Sequence, residues 1–255
     1  MNYKIIETGS DGNATVIESR ILIDCGVPFN KLKNHYKNLD IVLLTHIHSD
    51  HFNKNTIKRL SELRPTLRFG CAEWLLNPLL DLGIERKRID VYKFGTTYGY
   101  SSFKVEIFEL YHDVPQCGYK LYWGDKKLFY ATDTRTLKGV VAKDFDVYLV
   151  EANYKSDEEL HNRAINPEYE ERVKNTHMSE EDTIEWLLDN MSEKSIYEFM
   201  HQHKNRQTNL ANRFIQIAPL LEQTSKITNK QYDLNDYGIF IAMQDLIEVC
   251  NGRES

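Results

Sequence analysis

A cluster of metal-ligand side chains stands in one short segment of the sequence, Thr45–His51. Its candidate ligands are His46, His48, Asp50 and His51. Neutral imidazole and carboxylate oxygen are the ligands that zinc and similar divalent metals take. A loop that is rich in His by accident is the alternative, but the whole chain has only nine His. Because the segment follows the apolar run Ile41–Leu44, the spacing predicts a metal site on a loop held by a buried strand.

Further metal-ligand side chains follow predicted strands elsewhere in the chain. His112 and Asp133 each stand directly after such a strand, and both His201 and His203 follow Ile196–Met200. Loops at strand ends are where α/β enzymes place their chemistry. Each residue alone is more typical of a surface or turn position. Together with the first loop, however, these residues would supply the ligands that two metals need. Periodicity cannot separate His201 from His203, since residues two apart in a strand share a face.

Composition limits the architecture and the partners. A chain of 255 residues without a linker or an internal repeat predicts a single domain over residues 1–255. With 32 Lys and Arg against 38 Asp and Glu, the net charge is −6, which favours a small anionic substrate over a long nucleic acid. The four Cys residues are far apart in the sequence, so they are expected to be reduced thiols. No signal peptide or membrane span is evident, so a cytoplasmic protein without a membrane partner is expected.

Strands and helices alternate along the chain, which indicates an α/β fold. The predicted strands are Lys4–Glu7, Ala14–Glu18, Ile21–Cys25, Ile41–Thr45, Leu67–Cys71, Ile89–Phe94, Phe103–Tyr111, Gly118–Trp123, Leu128–Thr132, Phe145–Glu151 and Ile196–Met200. The predicted helical segments are Asn30–Lys37, Asn55–Leu63, Ala72–Leu80, Ser179–Asn190 and Asn209–Leu221. The start of the fourth, Ser179-Glu180-Glu181-Asp182, fits a capping box.

The order of the candidate ligands resembles that of the metallo-β-lactamase superfamily. The pattern His46-x-His48-x-Asp50-His51, followed by His112, Asp133 and His201, carries this resemblance along nearly the whole chain. It implies a four-layer αββα sandwich, with two metals at one edge of the two sheets. His46, His48 and His112 would bind the first metal. Asp50, His51 and His201 would bind the second, with Asp133 and a hydroxide bridging the pair.

The resemblance also implies a reaction. Superfamily members that keep Asp50 and His51 together with a bridging Asp133 are typically the phosphodiester-cleaving ones. Two metals about 4 Å apart lower the pKa of a bridging water and neutralise the phosphodiester oxygens. The implied enzyme is a dinuclear phosphodiesterase whose nucleophile is a bridging hydroxide. Zinc is the expected metal and manganese or iron the alternative, since His/Asp sites accept several metals.

Three residues outside the ligand set are candidates for supporting roles. His177, just before the capped helix, is the expected proton donor to the leaving alkoxide, and a similar His precedes a helix in tRNA-processing relatives of the superfamily. Glu151 would orient His177 or a ligand, and Asp50 is both a ligand and a catalytic carboxylate. Asp24 would fix the metal loop by hydrogen bonds. Ordinary structural roles for these strand-end carboxylates remain open.

Two subgroups of the superfamily compete on the remaining motifs. Gly9–Thr15, Leu22–Gly26, His112-Asp113 and Ala131–Thr134 are similar to segments of small bacterial DNA exonucleases. Two segments depart from that subgroup. Asn153-Tyr154-Lys155 stands where it usually has Asn-His-Asp, and His201-Gln202-His203 stands where it usually has His-Leu-Ser.

The other subgroup comprises compact phage-type enzymes that degrade cyclic mononucleotides and so defeat bacterial Pycsar immunity. They resemble tRNA-processing nucleases without a tRNA-gripping arm, and no Gly/Pro-rich insertion for such an arm lies between Glu151 and His177. We therefore predict an enzyme that hydrolyses 3′,5′-cyclic mononucleotides. A DNA or RNA nuclease is the alternative, and a non-catalytic metal-bearing protein is the third hypothesis. Tyr98 and Tyr100 are candidates for stacking on a base. The resemblance further implies a homodimer, located in the host cytoplasm if the chain is phage-encoded.

Overall fold

The computed structural model describes residues 1–163, 165–202, 224–226, 228, 230, 231 and 242. Its strands are β1 (Tyr3–Glu7), β2 (Ala14–Ile17), β3 (Ile21–Ile23), β4 (Ile41–Leu43), β5 (Arg68–Ala72), β6 (Ile89–Tyr92), β7 (Thr97–Gly99), β8 (Lys104–Leu110), β9 (Gln116–Trp123), β10 (Lys126–Ala131), β11 (Val147–Glu151) and β12 (Ile196–Met200). Its α-helices are α1 (Phe29–Leu32), α2 (Lys54–Leu63), α3 (Leu76–Asp81), α4 (Asp157–Asn162), α5 (Pro167–Thr176) and α6 (Glu180–Asn190).

The strands form two six-stranded sheets, ordered β1-β2-β3-β4-β5-β6 and β12-β11-β10-β9-β8-β7. Side chains alternate between the two faces of each strand, so every central strand contributes to two layers of core. In β4, Ile41 and Leu43 pack between the sheets, whereas Val42 packs with Ile57 of α2 on the outer face. The first sheet is therefore buried on both faces.

The second sheet is built in the same way. Leu128 and Tyr130 of β10 face the first sheet, and Phe129 between them faces α6, where its ring lies 4.8 Å from that of Trp186. Helices thus cover the outer face of each sheet and complete four layers, αββα, as the sequence predicted. Among the described residues, none of the helices combines the length and the apolar character needed to cross a membrane.

The parallel strand pairs bring the carboxyl ends of several strands to one edge of the sandwich. β3 pairs in parallel with β4, and β11 pairs in parallel with both β10 and β12. The carboxyl ends of parallel strands lie along the same edge of a sheet, where α/β sheets expose their loops. The segments that follow β4, β10 and β12 begin with or contain candidate ligands, and Asp24 directly follows β3.

Most predicted elements are confirmed, with three additions. β7, α4 and α5 were not predicted, and the segment Ala72–Leu80 begins as a 3₁₀ turn before α3. The N-cap of α6 is confirmed, because the Ser179 hydroxyl accepts a hydrogen bond from the backbone N–H of Asp182 at 3.0 Å. The prediction for Asn209–Leu221 falls on residues outside the described part of the chain.

The expectation that Tyr98 and Tyr100 stack on a substrate base is not met. Tyr98 packs on the ring of Tyr92 at 4.7 Å, and Tyr100 stacks on Phe103 at 4.5 Å. The Tyr100 hydroxyl also donates to Asp90 at 2.8 Å. Both rings join the edge strands of the two sheets, because aromatic side chains at a sheet edge gain more from burial than from exposure. Neither ring lines the cavity of the candidate metal centre.

Candidate metal centre

One buried carboxylate, that of Asp24, organises the loop after β4. Asp24 is fully buried and has φ +58°, so the backbone leaves the strand direction directly after β3. Its Oδ1 accepts a hydrogen bond from the backbone N–H of Thr45 at 2.9 Å, and its Oδ2 lies 2.7 Å from Nδ1 of His51. These contacts fix both ends of the His-rich loop, the role that the sequence predicted for Asp24.

Glycine is required where this loop passes the segment after β3. A Cβ on Gly26 would lie 1.6 Å from the carbonyl oxygen of Asp50, which no side chain can tolerate. The same carbonyl accepts from the backbone N–H of Asn13 at 2.6 Å. Asn13, a buried residue that the sequence analysis did not single out, also places its Nδ2 2.7 Å from Nε2 of His51.

The first group of donors is formed by His46, His48 and His112, whose ligand atoms lie within 4.8 Å of one another. Each ring has a second contact on its other nitrogen. Nδ1 of His46 lies 2.9 Å from the Thr45 hydroxyl, and Nδ1 of His112 lies 3.0 Å from the carbonyl oxygen of Thr176. Such contacts fix the tautomer of a ligating imidazole and leave its other nitrogen for the metal. For His46 and His112 that nitrogen is Nε2.

Asp113 joins this group, although the sequence analysis gave it no role. Its Oδ1 lies 3.3 Å from Nε2 of His48 and 3.1 Å from Nε2 of His112. Nδ1 of His48 lies 3.2 Å from Nε2 of His46. The only sequence signal for Asp113 was its place directly after His112. A carboxylate next to a candidate ligand is common enough that this signal alone would not have selected it.

The second group of donors meets at Asp133. Its Oδ2 lies 2.9 Å from Nε2 of His51, and its Oδ1 lies 2.6 Å from Nδ1 of His201. Asp50 is more distant, with its Oδ2 3.7 Å from Nε2 of His51. Asp133 and His201 both have φ +52°, a left-handed conformation that costs non-glycine residues of the order of 1–3 kcal/mol. This strain is typical of functional sites.

The buried polar atoms of this second group fit divalent cations. Asp133 Oδ2 and His201 Nδ1 are buried and make no hydrogen bond within the described residues, although charged partners lie within 3 Å. Donor atoms that converge without hydrogen-bond geometry are what a metal site requires, because each lone pair must point at the ion. The ligand atoms of His46, His51 and Asp133 also lie within 4.8 Å of one another, and this set connects the two groups.

The protonation states of His46 and Asp133 agree with a metal-binding role. Burial, with help from the His51 charge, holds the pKa of His46 well below its ordinary value despite the opposing effect of Asp133. His46 is therefore neutral at pH 7, as a ligand must be. Burial would raise the pKa of Asp133, but His201 and His51 outweigh it and hold that pKa well below its ordinary value. Asp133 is consequently an anion that balances the surrounding imidazoles.

His177 and Glu151 form a hydrogen-bonded pair beside the donor groups. Nδ1 of His177 lies 2.5 Å from Oε1 of Glu151, and Oε2 of Glu151 accepts from the backbone N–H of Thr134 at 2.5 Å. Burial opposes a charge on His177, but Glu151 and then Asp133 outweigh it and raise the pKa of His177 to about 9. The ring is therefore protonated at neutral pH. Its Nδ1 is engaged by Glu151, which leaves Nε2 for a substrate.

The structure brings every candidate ligand and catalytic residue of the sequence analysis to one edge of the sandwich, apart from His203, which lies outside the described residues. These residues are His46, His48, Asp50, His51, His112, Asp133, Glu151, His177 and His201. Their roles as ligands, proton donor or orienting group remain predictions. The donors Asp133, Glu151, His177 and His201 also lie within 4.8 Å of one another, so geometry alone leaves His177 a possible ligand.

A cavity of about 400 Å³ opens over these residues. One wall is the α5 helix, which contributes Tyr169, Arg172, Val173 and Thr176. This helix was not predicted from the sequence, although Asn166 caps its start by accepting a hydrogen bond from the backbone N–H of Glu168 at 2.9 Å. Asn at the cap followed by Pro167 at the first turn is a helix-start signal that could have identified it.

The four layers and the His/Asp cluster at one sheet edge define the metallo-β-lactamase fold. Solved structures of this fold resemble the chain at low sequence identity. The match to YhfI from Bacillus subtilis, a metallo-β-lactamase fold protein, covers 86% of this chain and 91% of YhfI, with a TM-score of 0.64 at 14% identity. The match to the short form of human tRNase Z covers 82% of this chain and 96% of that structure, with a TM-score of 0.60 at 15% identity. The match to a diphosphatase from the PhnP family covers 82% of this chain and 91% of that structure, with a TM-score of 0.56 at 14% identity.

Sequence comparison places the chain in a family. Residues 19–201 match the model described as the beta-lactamase superfamily domain, and the chain belongs to that family. Among curated proteins, the exodeoxyribonuclease WalJ of Streptococcus pneumoniae is 26% identical over 169 residues, which cover 60% of this chain. The chain spans 62% of the length of that relative.

Proposed function

We propose that the protein is a dinuclear metal-dependent hydrolase of phosphodiesters, with zinc as the expected metal and manganese as the alternative. One observation carries the proposal: the buried Asp133 belongs to the second group of donors and is linked to the first group through the set His46, His51 and Asp133. A single carboxylate between two donor groups suits two cations that act on one phosphoryl group. The protonated His177 beside them supplies the proton donor that phosphodiester cleavage needs.

Bound divalent cations would supply the charge that ionises water and neutralises the phosphodiester oxygens. The chain's own residues do the rest. Asp24 holds the loop that carries His46 and His51, and Thr176 holds the ring of His112. His177 delivers a proton from Nε2 to the leaving alkoxide, while Glu151 orients the ring and stabilises its positive charge through Nδ1.

For the substrate we propose a small nucleotide phosphodiester, the class to which 3′,5′-cyclic mononucleotides belong. A cavity of about 400 Å³ is within the range of small-molecule sites. Its described lining carries one Lys or Arg side chain, that of Arg172, whereas a long nucleic acid is usually held by many phosphate contacts. The net charge of −6 agrees with this choice. We further propose a phage role against cyclic-pyrimidine immunity, on the resemblance to the phage-type enzymes that degrade cyclic mononucleotides.

An exonuclease acting on DNA is the second candidate. It is favoured by the similarity to WalJ, which is an exodeoxyribonuclease. Arg172 stands at the cavity with its side chain 68% exposed, where it would contact a phosphate of a single strand. An RNA substrate and a non-catalytic metal-bearing protein complete the set that an assay must separate.

One panel of substrates tests these possibilities. Purified protein loaded with manganese or zinc would be assayed on 3′,5′-cyclic CMP, 3′,5′-cyclic AMP, bis(p-nitrophenyl) phosphate, labelled single- and double-stranded DNA, and labelled RNA. We expect turnover of the cyclic nucleotides and of the nitrophenyl ester without DNA degradation. DNA or RNA degradation with inert cyclic nucleotides would replace the first proposal by the second. Inertness on every substrate by protein that holds two metals per chain would contradict hydrolysis itself.

A further inference from the structure

The α5 helix forms one side of the cavity, and its C-terminal end contacts the candidate metal centre. The carbonyl oxygen of Thr176, its last residue, accepts from Nδ1 of His112 at 3.0 Å. The backbone N–H of the next residue, His177, donates to the carbonyl oxygen of Val173 at 2.9 Å. A helix that ends in contacts with a ligand and with the proton donor has little freedom to move relative to the reacting groups.

Tyr169 and Arg172 project from the same face of α5, because residues three apart in a helix are neighbours. Both line the cavity. Tyr169 is 48% exposed, and the side chain of Arg172 is 68% exposed. Among the described Phe, Tyr and Trp residues, only Phe94 and Tyr111 are exposed to a similar degree. A large ring that remains exposed at the mouth of a cavity has surface free for a ligand.

Arg172 is also directed towards the first donor group. Its Nη2 lies 3.9 Å from Oδ2 of Asp113, whose Oδ1 contacts Nε2 of both His48 and His112. The pair Arg172–Asp113 is too long and too exposed to contribute much stability. A guanidinium in this position can instead bind a phosphate oxygen through two parallel N–H donors.

From this arrangement we propose that Tyr169 and Arg172 are substrate-binding residues of the cavity, and that Tyr169 selects nucleotides over simple phosphate esters. Tyr169 stacks on the base and Arg172 binds a non-bridging phosphate oxygen, while the donor groups below hold the reacting phosphoryl group. Among the described residues that line the cavity, Tyr169 is the one Phe, Tyr or Trp and Arg172 the one Lys or Arg. The assignment rests on the proposed phosphodiester hydrolysis.

Two esters with the same p-nitrophenolate leaving group separate base recognition from chemistry. One is the p-nitrophenyl ester of thymidine 5′-phosphate, and the other is methyl p-nitrophenyl phosphate, which has no base. We expect Tyr169→Ala to lower kcat/KM for the thymidine ester by about 10-fold or more, through KM, because stacking on an aromatic ring stabilises each bound base considerably. The methyl ester should be unaffected, and Tyr169→Phe should behave as the unmodified protein.

Arg172→Ala should raise KM for both esters by about 10-fold, since both carry the phosphate oxygen that the guanidinium binds. The matched control is Arg163→Ala, because Arg163 is paired with Glu159 and does not line the cavity. Equal losses on both esters in Tyr169→Ala, or no loss on either, would overturn the role of Tyr169. Unchanged KM values in Arg172→Ala would overturn that of Arg172.

A binding measurement keeps this inference separate from the proposed function. Calorimetric titration of the metal-loaded protein with thymidine 5′-monophosphate and with methyl phosphate requires no turnover. Tyr169→Ala should weaken binding of the nucleotide by about 10-fold and leave the affinity for methyl phosphate unchanged. If the unmodified protein cleaves neither ester but shows this pattern, the proposed hydrolysis fails and the recognition role stands. Equal affinities of the variant and the unmodified protein for the nucleotide would refute recognition even in an active enzyme.

Discussion

Single residues of the candidate metal centre act through polar contacts with one nitrogen of a ligand ring. Asp24 engages Nδ1 of His51, Thr176 engages Nδ1 of His112, and Asp113 engages Nε2 of His48. Each contact presents the remaining ring nitrogen in one tautomer. Affinity for the metal should therefore depend on residues that do not themselves bind it, and Asp24 is the strongest test because it is fully buried.

Asp24→Asn should weaken metal binding by about 10- to 100-fold, the usual effect of losing such a supporting partner. The physical reason is that an amide is a poorer acceptor for the His51 ring and for Thr45 than a carboxylate. Competition against a chromophoric chelator measures the affinity. Asp40→Asn is the control, because Asp40 pairs with Arg20 at the surface, away from the centre. Unchanged affinity in the Asp24 variant would argue against its supporting role.

The His177–Glu151 pair gives a second prediction at the same scale. His177→Ala should lower kcat by about 10²- to 10⁴-fold for substrates with an alkoxide leaving group, the usual contribution of a general acid. A p-nitrophenolate leaves without a proton, so hydrolysis of bis(p-nitrophenyl) phosphate should fall far less. Metal content per chain is the necessary control. Loss of a metal in the variant would make His177 a ligand, which its distance to Asp133 and His201 leaves open.

At the scale of elements, the site depends on how the second sheet is held at the end opposite the metals. Asp146, just before β11, accepts from the backbone N–H of Lys127 at 2.7 Å and from Lys126 Nζ at 3.0 Å. Burial opposes the charge of Asp146, but these donors outweigh it and lower the pKa of its carboxyl. The ionised carboxylate thereby fixes the start of β10 beside β11.

Asp146→Ala should lower the free energy of unfolding by about 1 kcal/mol at pH 7, as expected for charge-assisted hydrogen bonds that are partly exposed. A carboxyl whose pKa is lowered by folding stabilises the protein above its unfolded pKa of about 4 and loses that effect as the pH falls. The difference between variant and unmodified protein should therefore narrow below about pH 4. Urea unfolding across this range measures it. Asp125→Ala, which removes a neighbouring carboxylate without those bonds, should show neither effect.

The α5 helix shows why some elements escaped the sequence analysis. Its face towards the cavity carries Tyr169 and Arg172. In the sequence, this pair is indistinguishable from the solvent-exposed side chains of an ordinary surface helix. Only its C-terminal contact with His112 connects it to the chemistry, and that contact spans 64 residues of sequence. Periodicity reports which face of an element is buried, but not which distant residue the other face will meet.

At the scale of the whole molecule, two sheets are joined through one charged cluster at their common edge. His46 and His51 come from the first sheet, and Asp133 and His201 come from the second. Cations bound by both groups would therefore connect the two halves of the sandwich. Ligands that bind only the folded state stabilise it in proportion to the logarithm of their concentration.

Removal of metal should accordingly lower the melting temperature. At a metal concentration about 100 times Kd the stabilisation is about 2.7 kcal/mol, which corresponds to about 5–10 °C for a chain of this size. Calorimetry before and after treatment with a chelator measures the shift, and added zinc or manganese should restore it. Asp133→Asn should lose most of the shift, whereas His35→Ala, which alters a His away from the cluster, should keep it. Equal melting temperatures with and without metal would contradict a site that joins the sheets.

The sequence by itself determined the ligand-rich loop and most of the strands, because these depend on short-range information. Three imidazoles and a carboxylate within Thr45–His51 define their own chemistry, and alternating apolar residues define buried strands. The tertiary structure decided which distant residues join that loop. It aligned the ends of β3, β10 and β12, gave Asp24, Asp133 and His201 their left-handed backbone, and placed α5 over the cavity. Such long-range contacts result from packing of the whole chain, and no local pattern encodes them.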